Sequence, residues 1–121
     1  MSDELTNQTA EILDRQNECF VKGDVYKIMK DFSEQALLFT PDGILEGKDS
    51  IKKFYVDVTT NVLPPGSDFN IIRQEVKGET AYIVWSAESK KFRFSLGTDT
   101  FVMKDGKIIV QTFAAKIEPK N

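Results

Sequence analysis

The chain has 121 residues, 40% of them hydrophobic, with 19 acidic against 16 basic side chains, a formal net charge of −3 and no histidine. That is one domain, able to bury roughly two-thirds of its unfolded surface without a metal or disulfide staple, and the lone Cys19 excludes an internal disulfide. Scattered charges leave no basic stripe for nucleic-acid phosphates, no run approaches the roughly 18 apolar residues of a membrane span, and without histidine there are no His-activated nucleophiles and no His-based metal sites.

The first segment, MSDELTNQTAEILDRQ, is polar and acidic and lacks the apolar core of a secretory signal, so the expected compartment is the cytoplasm. From Leu5 to Lys22 the apolar residues Leu5, Ile12, Leu13, Cys19 and Phe20 fall on one helical face, and Gly23 supplies a stop. Asp24 can cap a second, shorter helix that buries Val25, Ile28, Met29 and Phe32. ALLFT (36–40), the turn Pro41-Asp42-Gly43 and ILE (44–46) read as a short hairpin. Ile51, Phe54, Tyr55 and Val58 then recur at i, i+3, i+4 and i+7, a third helix that the loop LPPGS breaks.

After Pro65 the pattern turns to strands: FNIIRQEV, TAYIVWSAE, FRFSLGTDTFVM and KIIVQTFAAKI, joined by turns at Lys77-Gly78-Glu79 and Asp105-Gly106. Helices first and a four-strand meander last make an α+β plan, with three N-terminal helices on one face of an antiparallel sheet. The isolated glycines of KGD, PDG, EGK, PPGS and KDGK form no phosphate-binding loop, so no nucleotide cofactor is expected.

The stretches FVKGDVYKIMKDFSEQALLFTPDGILEGKDSIKKFY and GTDTFVMKDGKIIVQTF resemble the SnoaL-like and ketosteroid-isomerase-like branch of the nuclear transport factor 2-like superfamily. The resemblance spans nearly the whole chain as a single domain, 1–121. It implies a cystatin-like cone: a curved sheet wrapped round a long helix, an apolar pocket, and a homodimer through the sheet. The superfamily holds isomerases, cyclases, epoxide hydrolases and proteins that only bind, so the fold does not choose among them.

Within that resemblance Asp99 matches an aspartic acid that the ketosteroid isomerases keep protonated in an apolar site as a hydrogen-bond donor. Burial raises a carboxyl's pKa, which is what such a donor needs at neutral pH. The alternative is a strand-end Asp bonded to Thr98, Thr100 or backbone N–H groups beside Gly97. The isomerase tyrosine falls on Gln16, which is still a neutral donor; the isomerase base falls on Thr40, which has no useful basicity. Tyr55 matches a tyrosine that supports the oxyanion network, or else is a core aromatic.

Other candidates come from the strand pattern. Tyr82, Val84, Ser86 and Glu88 share a face, which would put Glu88 at a pocket mouth or else leave it at a solvated strand end, with Trp85, Ile83 and Ala87 on the opposite, core or dimer face. Asp42 belongs to a favourable turn, and Cys19 reads as inert packing. A two-residue turn at Asp105-Gly106 would pair Asp99 with Thr112. A three-residue loop with a glycine bulge would pair it with Gln111 and gather Asp99, Phe101, Ile109, Gln111 and Phe113 on the concave face, and that register is favoured.

The expected ligand is an apolar small molecule held by Gln16, Phe20, Thr40, Tyr55, Tyr82, Val84, Glu88, Phe101, Gln111 and Phe113 around Asp99. Two functions stay open. One is a small-molecule-binding protein with isomerase- or cyclase-type carboxylate chemistry, and the other is a noncatalytic binding or dimerisation module.

Overall fold

The computed structural model describes residues 2–121. Helix α1 (Ser2–Lys22) buries Thr9, Ile12, Leu13, Gln16 and Cys19, a stripe at helical spacing in which two members are polar. Both polar members find partners: the Thr9 hydroxyl donates to the Gly78 carbonyl, and the Gln16 amide donates to the Ile28 carbonyl and to Asp31. Leu5, expected on the buried face, is exposed one turn before that stripe begins. Helix α2 (Val25–Lys30) starts at Asp24, whose side chain accepts the Lys27 backbone N–H as the sequence suggests.

The chain then runs through β1 (Phe32–Thr40), β2 (Gly43–Glu46) and α3 (Lys48–Asp57), which widens into a π-helical turn over Val58–Val62. Four long strands follow: β3 (Asp68–Lys77), β4 (Thr80–Glu88), β5 (Phe92–Lys104) and β6 (Lys107–Pro119). All six strands form one sheet in the order β2-β1-β6-β5-β4-β3. Its pairs are antiparallel except β1 with β6, which is parallel. The sheet is therefore mixed: the chain crosses over through β2, α3 and the meander before β6 returns beside β1.

Irregular register interrupts the pairs β1·β6, β3·β4, β4·β5 and β5·β6. The shifts in β3·β4, β4·β5 and β5·β6 each insert one residue and that in β1·β6 inserts three on β1, and such insertions bend the strand and increase the local twist, which curls the sheet around the helices. Leu13, Ile28, Phe32, Leu38, Ile51 and Ile108, all fully buried, belong to one core between the helices and the sheet.

The β5–β6 register differs from both expectations. Lys104 pairs with Lys107 around a two-residue turn, but a bulge after Met103↔Ile108 shifts the pairing, so that Phe101 faces Gln111 and Asp99 faces Phe113. The bulge restores the parity of the three-residue loop by another route. Asp99, Phe101, Gln111 and Phe113 do share the concave side, while at the hairpin end Ile108 is buried in place of Ile109.

Candidate functional site

Asp99 lies at the middle of β5, between Ile83 of β4 and Phe113 of β6, with its side chain toward the helices. It is 8% exposed, and among the described residues no cation lies against it. The Trp85 indole Nε1–H donates to Oδ1 at 2.8 Å and the Gln111 Nε2 donates to Oδ2 at 2.7 Å. The Tyr55 hydroxyl, from α3, donates in turn to Gln111 Oε1 at 2.8 Å. Each carboxyl oxygen thus accepts one N–H, and the amide orientation of Gln111 is fixed from behind by Tyr55.

Burial pushes the Asp99 carboxyl up to about 7, against the pull of the Gln111 and Trp85 hydrogen bonds, which favour the charged form. Two neutral N–H donors do not replace the lost hydration. The Tyr55 phenol is raised as well, first by its own burial and then by the Asp99 charge, with Gln111 opposing, so it remains a hydroxyl donor. The Cys19 thiol is also raised by burial and has no nucleophilic bias.

The carboxyl lines a cavity of about 330 Å³. Its sheet wall is Ile83, Trp85, Phe94, Phe101 and Phe113; Gln16, Asn17 and Phe20 of α1, with Phe54 and Tyr55 of α3, close the opposite side. Val58, Val62 and Leu63 enter from the π-helical turn, where the Leu63 N–H reaches the Val58 carbonyl at 2.7 Å. Trp85 organises the aromatic wall. Its ring stacks on Phe113 at 6.2 Å and 14°, and lies 5.4 Å from Phe94 and 5.5 Å from Phe69.

The structure thus brings together Asp99, Tyr55, Phe20, Phe101, Gln111 and Phe113 of the residues singled out in the sequence. Gln16 reaches the lining too, but its Nε2 donates to the Ile28 carbonyl at 2.9 Å and to Asp31 Oδ2 at 3.1 Å. Both of its N–H groups therefore tie α1 to the α2–β1 junction, beside the Arg15–Asp31 ion pair, and none is left to orient Asp99 or a ligand.

Thr40, Tyr82, Val84 and Glu88 lie outside the cavity. Thr40 belongs to the β1–β2 turn, donating to the Gly43 carbonyl and accepting the Asp42 N–H. Tyr82, Val84 and Glu88 alternate onto the convex face of β4, because the inward set is Ala81, Ile83, Trp85 and Ala87. Glu88 pairs with Lys120 and Arg93, whose hydrogen bonds first and charges second hold its carboxyl below the usual range.

The largest residue that sequence reasoning placed on the wrong side is therefore Trp85. A signal was present at Gly97, its partner across β4–β5. A glycine inside a strand marks a close approach, and here a Cβ on Gly97 would sit 2.3 Å from the Trp85 ring. The indole lies flat over that bare backbone, which is how its N–H reaches Asp99 two residues along.

Solved structures share this architecture. A nuclear transport factor 2-like protein of unknown function from Mesorhizobium loti is 24% identical over 92% of this chain and 93% of its own, with a TM-score of 0.76. A Kribbella flavida protein provisionally named a ketosteroid isomerase is 15% identical over 100% of this chain and 84% of its own, with a TM-score of 0.80. The epoxide hydrolase/cyclase-like enzyme SalBIII, of pyran ring formation in salinomycin, is 18% identical over 99% and 100%, with a TM-score of 0.79. At these identities the likeness is one of fold. No curated protein matches the sequence significantly. The SnoaL-like domain family matches residues 13–111, a span that runs from the core of α1 to Gln111 and includes Tyr55, Trp85 and Asp99. The chain belongs to the SnoaL-like domain family.

Proposed function

We propose that the protein binds an apolar small molecule in this cavity, and that Asp99 in its protonated form donates a hydrogen bond to the ligand's one polar atom. The observation that carries this reading is that Asp99 is held from behind by one N–H donor on each oxygen. Trp85 and Gln111 each fill one acceptor position, and the proton of the neutral acid is left for whatever enters the cavity. A mostly apolar enclosure with a few convergent polar groups is the usual form of a small-molecule site.

Titration calorimetry with 1-tetralone and its hydrocarbon counterpart tetralin tests it. The ketone is expected to bind about fivefold more tightly, the worth of one neutral hydrogen bond. Equal affinities, or no binding of either, contradict the reading.

Proton transfer of the isomerase or cyclase kind is the second reading, favoured by the position of Asp99 at about 7. A carboxyl poised there gives up and regains a proton near neutral pH, acting as acid and base in turn. Cyclase-like and isomerase-named proteins stand among the structural neighbours. No group at the Thr40 position supplies a separate base.

We also propose that the convex sheet face pairs with a second copy. Ile44, Phe39, Thr112, Thr100 and Tyr82 form one cross-strand row over β2, β1, β6, β5 and β4, with Ile44 55% and Tyr82 37% exposed. Light scattering at micromolar concentration should give twice the 13.7 kDa chain mass, and Tyr82→Glu should lower it. A stable monomer contradicts the pairing.

A further inference from the structure

Resting on the reading that the cavity takes a small molecule, we infer that the polar atom of that molecule is a basic nitrogen: the site is built for a lipophilic amine. The charge inventory of the lining carries the inference. Among the described residues the cavity wall holds three carboxyl groups, Asp42, Asp57 and Asp99, and no lysine or arginine. Asp42, in the β1–β2 turn, and Asp57, at the end of α3, are exposed at the mouth, while Asp99 lies at depth. An incoming carboxylate or phosphate passes Asp42 and Asp57, the latter beside Lys52 and Lys53 on the adjoining surface, and finds no counter-charge inside.

Positive charge is received differently. Eight aromatic side chains line the cavity, and Trp, Tyr and Phe faces attract a cation within about 6 Å. The donors behind Asp99 complete the arrangement, because Trp85 and Gln111 offer N–H groups to both of its oxygens and so support its anionic form. A neutral amine reaching neutral Asp99 first accepts its hydrogen bond. When the proton crosses, the O–H bond breaks and an N–H bond forms. The carboxylate left behind keeps two hydrogen bonds, and the ammonium faces the carboxylate and the rings. An amine that is an ammonium in water at pH 7 gives up its hydration or its proton on the way in, and the carboxylate and the ring faces offset that cost.

Calorimetry at pH 7 with three matched probes tests the inference: 1-naphthylmethylamine, 1-naphthylmethanol and 1-naphthoate. The amine is expected to bind about tenfold more tightly than the alcohol, and the carboxylate not measurably. The surface double variant Asp42→Asn, Asp57→Asn should reduce the amine-to-alcohol preference by about two- to threefold, as two screened rim charges are worth little each. An amine no tighter than the alcohol overturns the inference while the alcohol's binding keeps the cavity reading. Naphthoate binding as tightly as the amine overturns it too, and binding of none of the three overturns both.

Discussion

Gly97→Ala is expected to destabilise the fold by about 3 kcal/mol or more, an unusually large cost for one methyl group. Gly97 needs no left-handed backbone, so the cost is steric alone: the added Cβ would sit 2.3 Å from the Trp85 Cε2 and Cζ2 atoms. The ring cannot simply step aside. It is 4% exposed and held by Phe69, Phe94 and Phe113. Denaturant unfolding of the single and double variants checks the cause as well as the size. In a Trp85→Leu background the same Gly97→Ala change should cost much less, a coupling of about 1 to 3 kcal/mol. Equal costs in both backgrounds would show that the indole is not what forbids the methyl group.

Stability should also fall as the pH rises from about 4 to about 8, by as much as about 4 kcal/mol, and Asp99→Asn should remove that slope. In the folded protein the Asp99 carboxyl is raised to about 7, whereas the unfolded chain releases the same proton near its ordinary value, about 3.9. Between those values the native state holds a proton that the unfolded state has lost. The contribution is complete below about pH 4 and disappears as pH climbs through 7. Asparagine is the informative replacement because the network can reverse: its Nδ2 donates to a flipped Gln111, whose amide then donates to the Tyr55 hydroxyl oxygen. Urea unfolding of both proteins across the window measures the difference, and parallel curves would contradict it.

Much of the fold was legible because its signals are local. The Asp24 cap, the Pro41-Asp42-Gly43 turn, the Ile51, Phe54, Tyr55 stripe and the Asp105-Gly106 turn each depend on neighbours in sequence. The parallel β1–β6 contact is not local, and nothing near Phe32–Thr40 announces it. Within the site, Asp99, Tyr55 and Gln111 were legible from the resemblance and from strand alternation. Trp85 was not, because alternation along β4 fixes two faces without saying which is inward, and Ile83 with Trp85 reads as easily as a dimer surface as a cavity wall. The same ambiguity placed Tyr82, Val84 and Glu88 inside. Gly97 held the information that decides it, through a contact across strands. In β5–β6 the bulge beyond the turn is likewise invisible to a count of residues outward from Asp105-Gly106, since an inserted residue moves every later pair.

The proposed donor role requires that the buried Asp99 carboxyl still hold a proton in part of its population at neutral pH, and carbon NMR of the selectively labelled aspartates reads this directly. With Asp99→Asn used to assign the resonance, the Asp99 side-chain carboxyl should titrate with a midpoint near 7. A midpoint at or below about 3.9, the ordinary value for aspartic acid, would mean that Asp99 is an anion throughout the neutral range and has no proton to give.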